Sequence, residues 1–303
     1  MTKIDAFAHI LTPKFLAKME AIDPTILNKF PFMKNKLLTD LDKHLKSIPE
    51  DVQQILSFVN LNPEDFTDPK TSAELCRAAN EELLETVNGH KDEFPAGVAM
   101  VPMNNIDEAI NIIDDQVANK DGLAGIQLFT RAMGKTIADP SYHRVFEKMV
   151  EIDKPIWLHP VFDQRKPDNN IAFSWEYELT QAMNDIVTSG LYQEFPNMKV
   201  IVHHAGAMVP FFSERIKYIM TKENYQDFQK FYVDTAILGN TKALELAFSF
   251  FKEDHVVLGT DSPFGIPPAG AIEVIIEAIE KMDITDKQRN KIYKDNITKL
   301  AGQ

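Results

Sequence analysis

Eight short apolar runs, most of them separated by helical patterns, constrain the fold of this chain more than any other feature. They are Ile4–His9, Gln54–Val59, Gly97–Val101, Ala124–Phe129, Pro155–His159, Lys199–His204, Phe231–Thr235 and Val256–Asp261. Several are continuous rather than alternating, such as Ile156-Trp-Leu158 and Val200-Ile-Val202, as expected of parallel strands buried on both faces. The segments between them carry helix signals. Thr71 with Glu74 forms a capping-box pattern, Asp139-Pro140 reads as an N-cap with proline at N1, and Glu273–Met282 is apolar at helical spacing. Strand and helix in alternation imply a parallel sheet, and eight repeats favour a closed (β/α)₈ TIM barrel. An open doubly wound sheet is the rival, but no G-x-G-x-x-G follows any run.

A length of 303 residues with 44% hydrophobic residues suits one α/β barrel, so residues 1–303 read as a single domain. Two connections are unusually long. Residues 11–50 hold Pro13, Pro24, Pro31 and Pro49 among short helical pieces and read as a lid-like insertion after the first strand. Val161–Phe173 follows the fifth strand and is polar. In a barrel both lie at the end that carries the active site.

Polar groups stand at the ends of four runs: His9, His159, the pair His203-His204, and Asp261. In a barrel these share one mouth, and imidazoles with one carboxylate suit zinc or another divalent transition metal. On the first run, period 2 puts Asp5, Phe7 and His9 on one face. A lone histidine at a strand end is more often a surface or satisfied group; it is the shared address of these that argues for a site. His44, His90, His143 and His255 lie in helical or turn segments and read as structural.

The net charge of −13 argues against nucleic acid or an anionic membrane as partner. A single cysteine, Cys76, excludes a disulfide framework and fits a reducing compartment. No run approaches the ~20 residues of a membrane span, and the N-terminus lacks the pattern of a signal peptide. A cytoplasmic protein acting on a small molecule is expected.

The pieces Ile-Asp-Ala-Phe-Ala-His9, Trp-Leu-His159-Pro, His204-Ala-Gly-Ala-Met-Val-Pro210 and Leu-Gly-Thr-Asp261-Ser-Pro-Phe resemble the amidohydrolase-related family of metal-dependent barrels. Phe195-Pro-Asn-Met-Lys-Val and Asn296-Ile-Thr-Lys-Leu300 extend the likeness to the branch of aminocarboxymuconate-semialdehyde decarboxylase and γ-resorcylate decarboxylase. The resemblance implies His9, His159 and Asp261 as ligands of one divalent metal, zinc or manganese among the options, with His204 available as a fourth. It implies Asp261 and His204 as the catalytic, proton-handling pair. His204 is preferred to His203 on the motif spacing, and because period 2 sends His203 to the opposite face. The fourth run has no lysine for a bridging carbamate, which favours a single metal. Phe7 stands where the family has its first ligand. Phe7, Arg131 and Arg165 are candidate substrate contacts; Phe173 and Trp175 are candidate walls for a flat ligand.

Non-oxidative decarboxylation of a small carboxylate is the leading chemistry. Metal-dependent hydrolysis of a lactone or amide is the alternative. A metal-free, inactive binding protein is the reading that Phe7 motivates. The resemblance also implies a homodimer or larger assembly.

Overall fold

The computed structural model describes residues 2–161, 170–267 and 270–302. Seven strands form one parallel sheet in chain order: β1 (Lys3–Ile10), β2 (Val52–Phe58), β3 (Gly97–Met100), β4 (Leu123–Phe129), β5 (Ile156–His159), β6 (Val200–Val202) and β7 (Tyr232–Val233). The eighth run closes the ring without forming a regular strand. It bridges β7 at Val233–Val256 and β1 at Ala8–Ser262. Backbone bonds from Ala6 N to Leu258 O and from Asp261 N to Phe7 O complete the seam.

The expected alternation is thus borne out as a curled, barrel-like parallel sheet, because each run is buried from both sides. One apolar cluster draws Phe7, Ile55, Val98, Ala124, Trp157, Ile201 and Val257 from seven of the eight staves. Ile297, Leu300 and Ala301, from the helix Asn296–Ala301, join the same cluster. A second, larger cluster lies between the sheet and the surrounding helices.

A register shift between Asp5 and Ala8 on β1 marks a bulge, which frees local carbonyls from regular pairing. Ala6 O accepts from Trp157 Nε1 across the interior at 2.8 Å. Asp5 ties the seam below the bulge: its carboxylate accepts from Phe7 N at 3.1 Å and Thr260 N at 3.0 Å, and from the Thr260 hydroxyl at 2.5 Å. Burial pushes the Asp5 carboxyl up to about 7, against the opposing pull of these donors.

The helix Pro69–Gly89 corrects one expectation. Its cap is Asp68, not Thr71: Asp68 Oδ1 accepts from Lys70 N and Thr71 N, with Pro69 at N1. Asp139 caps its helix as expected, accepting from Ser141 N. Residues 11–50 form short helices beginning with Pro13–Ile22. The open N-terminal amides of that helix, Lys14 N and Phe15 N, donate to Glu82 of Pro69–Gly89 at 2.9 Å each. Such a cap from a neighbouring helix satisfies groups that its own residues leave unmet. Further along, Phe32 packs on Phe264 with ring centres 6.0 Å apart. Among the described residues, no helix is long and apolar enough to cross a membrane.

Candidate metal centre and active site

Four side chains converge above the apolar interior: His9 of β1, His159 of β5, His203 just past β6, and Asp261 on the closing segment. Their ligand atoms all lie within 4.8 Å of one another. Each imidazole is held by its far nitrogen, which turns Nε2 inward. Ser57 Oγ donates to Ala8 O at 3.3 Å and so accepts from His9 Nδ1–H at 3.0 Å. His159 Nδ1–H donates to Pro160 O at 2.6 Å. His203 Nδ1–H donates to Asp234 Oδ2, while Asp234 Oδ1 accepts from Ala205 N and Ala236 N at 3.0 Å each. A carboxylate, hydroxyl or carbonyl behind each ring is the usual support for imidazole ligands of a metal.

The residues fit a metal ion on an independent ground. His9 Nε2 and His203 Nε2 are buried and make no hydrogen bond, although they approach Asp261 Oδ1 at 3.1 and 3.3 Å. Ring nitrogens left without a partner in a dry site are costly unless something else pairs with them. A single cation at the point they share would do so.

Electrostatics agree. Burial pushes the Asp261 carboxyl up, but the His203 and His9 imidazoles outweigh it and hold the group well below the usual carboxylate range. Burial, reinforced by the His203 and His9 rings, holds His159 well below the usual histidine value. Burial lowers His203 too, yet Asp234 and then Asp261 overcome it and raise the ring to about 10. Without metal, His203 therefore carries both protons. That proton stabilises the metal-free fold fully below pH 6.5, and the contribution is lost as pH rises through about 10. A metal ion held by His203 Nε2 would have to displace it, so affinity is expected to rise with pH and weaken on acidification. Uptake of zinc or manganese by metal-free protein at about pH 6 and about pH 8 checks this; equal affinities would contradict the assignment of His203 as a ligand.

The structure brings His9, His159 and Asp261 together, as the sequence suggests. The choice between the adjacent histidines comes out reversed. His203, not His204, is the fourth member of the cluster, because it continues the inward face of Ile201 in β6. His204 stands outside the cluster, at the start of a left-handed turn with φ of 54° at His204 and Ala205, 74° at Gly206 and 53° at Ala207. Its Nδ1–H donates to Glu176 Oε1 at 2.6 Å, and its ring centre lies 4.1 Å from that of His203.

Phe7 is buried and does face the cluster. Its ring stacks on His203 at 4.1 Å and lies 5.7 Å from His9 and 5.9 Å from His159. Around the site stand more rings: Phe129 and Trp175 at 5.7 and 6.0 Å from His159, and Phe264 at 5.8 Å from His9. Phe173 is 78% exposed, at the head of the helix Ser174–Thr188. Arg131 lies in the hairpin Arg131–Ala132 with Lys135–Thr136, where its Nη2 donates to Gly134 O at 3.0 Å. Arg165 lies outside the described residues. Sequence reasoning missed Ser57, Asp234 and Glu176. Asp234 did carry a signal, as a polar residue at the end of the seventh run.

Comparison with known proteins places this geometry. The family model described as Amidohydrolase matches residues 19–302. A 2-amino-3-carboxymuconate-6-semialdehyde decarboxylase of Dictyostelium discoideum is 26% identical over 253 residues, covering 78% of this chain and 69% of that protein. A 6-methylsalicylic acid decarboxylase of Penicillium expansum is 24% identical over 311 residues, covering 96% and 94%. The fold matches that of a 5-carboxyvanillate decarboxylase from Novosphingobium aromaticivorans, solved with manganese and 4-hydroxy-3-methoxy-5-nitrobenzoic acid. The TM-score is 0.85 at 17% identity, with 100% and 96% of the two chains covered. With its barrel, the polar ends of its strands and a match over nearly its whole length, the chain belongs to the amidohydrolase family, in the branch that includes these decarboxylases.

Proposed function

We propose that this protein is a metal-dependent, non-oxidative decarboxylase of a flat carboxylate bearing a phenol- or enol-like hydroxyl. The observation that carries the reading is one convergent His₃Asp point walled by Phe129, Trp175 and Phe264. Aromatic walls suit a planar ligand, and the relatives are named as decarboxylases of unsaturated or aromatic carboxylates. His9, His159, His203 and Asp261 would hold one divalent ion, manganese or zinc. Bound there, the ion would neutralise the substrate's oxygens and favour loss of the hydroxyl proton.

The chain's own groups do the rest. Asp261, ionised in the resting site, takes the hydroxyl proton and returns it to the ring carbon that bears the carboxylate. The carbon–carboxylate bond then breaks, its electron pair stays on the ring, and carbon dioxide leaves. His204 passes a proton from solvent to the remaining phenolate oxygen, so the net reaction consumes one proton. Residues 11–50 cover the mouth through the Phe32–Phe264 contact, which helps to exclude water that would compete for these protons.

The test is carbon dioxide release from a panel of hydroxybenzoates by protein loaded with manganese or zinc, beside hydrolysis of small lactones. Lactone hydrolysis without decarboxylation would replace this reading with a hydrolase. A metal content below about a tenth of an equivalent after loading would replace it with a binding protein. Sedimentation of the loaded protein tests the accompanying expectation of a dimer or larger assembly.

Phe7 supplies a sharper check. Its ring occupies a position facing three imidazoles, and a donor there would add a ligand. Phe7→His is expected to tighten metal binding by about tenfold or more, at least about 1.4 kcal/mol. Chelator competition measures it, and unchanged affinity would mean that position 7 does not face the ion.

A further inference from the structure

We propose that Glu176 is a positioning residue for His204, holding the ring so that its Nε2 faces the substrate. The inference rests on the decarboxylase reading for its consequence in turnover, and on geometry for the pairing itself. Three imidazoles of the site, His9, His159 and His203, are turned with Nε2 towards a common point. His203 is engaged on both sides, by Asp234 behind and by the cluster in front. His204 lies against that ring but outside the cluster, so among the described residues it is the imidazole next to the site that is left to move protons.

What fixes His204 comes from another part of the chain. The helix Ser174–Thr188 presents Glu176 in its first turn, and Glu176 Oε1 accepts from His204 Nδ1–H at 2.6 Å. The same helix holds the far end of the His204 turn, where Met208 N donates to Thr180 Oγ1 at 3.1 Å. The turn needs these ties. Left-handed backbone at His204, Ala205 and Ala207 is strained in non-glycine residues and persists only where the surroundings over-determine it. A carboxylate on Nδ1 also selects the tautomer in which Nε2 is the acceptor. With Glu176 removed, the ring is free to rotate and to populate the other tautomer, and fewer molecules present Nε2 correctly.

The experiment uses full-length, zinc-loaded protein. Glu176→Ala is expected to lower kcat by about tenfold to 10²-fold with little change in KM, the signature of lost orientation rather than lost binding. Zinc content and melting temperature should stay close to wild type. Glu176→Gln, which keeps an acceptor of the same length, should restore most of kcat. Nitrogen NMR of the His204 ring should show the Nδ1–H tautomer in wild type and a mixture in Glu176→Ala. Glu176→Ala combined with His204→Ala should be no slower than His204→Ala alone. An unchanged tautomer, an unchanged kcat, or additive losses in the double variant would each overturn the assignment. If the wild-type protein decarboxylates nothing, the functional reading falls, and the NMR result alone still decides whether Glu176 sets the ring.

Discussion

Asp261→Asn is expected to lower turnover by about 10³-fold while leaving the fold in place. The side chain keeps its size, and the backbone bond from Asp261 N to Phe7 O is unaffected. What disappears is the charge. Asp261 is held ionised by His203 and His9, so in the proposed reaction it serves both as the anionic member of the ligand set and as the group that takes and returns a proton. An amide does neither. Carbon dioxide release, metal content and thermal unfolding should be measured together. Wild-type turnover in the variant would mean that the proton travels by another group and that the site assignment is wrong.

Asp234→Ala is the larger test of stability. One carboxylate serves His203 Nδ1–H, Ala205 N and Ala236 N, all buried in the barrel wall. Removing it strands three donors and leaves the charged His203 ring without its main counterion. Breaking a buried pair in this way typically costs about 3–5 kcal/mol. With the ring free to tilt, metal affinity should fall about 10–100-fold as well. Denaturant unfolding of metal-free protein and chelator competition on the loaded protein separate the two effects. A stability loss with unchanged affinity would make Asp234 a structural strap and no more.

Much of this was legible in the chain, and the failures have identifiable causes. The eight runs were readable because parallel strands buried on both faces are continuously apolar. The same property hid the phase of β6. Val200, Ile201 and Val202 are all apolar and all buried, so alternation carries no sign of which one faces inward. Only Ile201 joins the interior cluster, and that places His203 inside. On β1 Phe7 and His9 do face inward together, but the bulge shifts the register ahead of them, and Asp5 sits on the other face with Gln54. At the head of Pro69–Gly89 the capping box at Thr71 competes with Asp68-Pro69, and the proline at the first helical position decides for Asp68. Glu176 left no trace in the sequence. Its meaning depends on a helix and a turn that meet only in three dimensions.

The seam of the barrel has a further consequence, for the order of events in folding. Asp5 and Thr260 pair across 255 residues, and the same closure delivers Asp261 to His9. A growing chain therefore makes the His9 end of the site almost at once and the Asp261 end only when nearly everything else has been synthesised. Contacts so distant in sequence form late, after the loop entropy of the intervening chain has been met. With the metal held as proposed, its capture would report completion: a chain stalled before its last stave offers imidazoles but no Asp261 carboxylate, and the full set of four groups exists only in the closed ring.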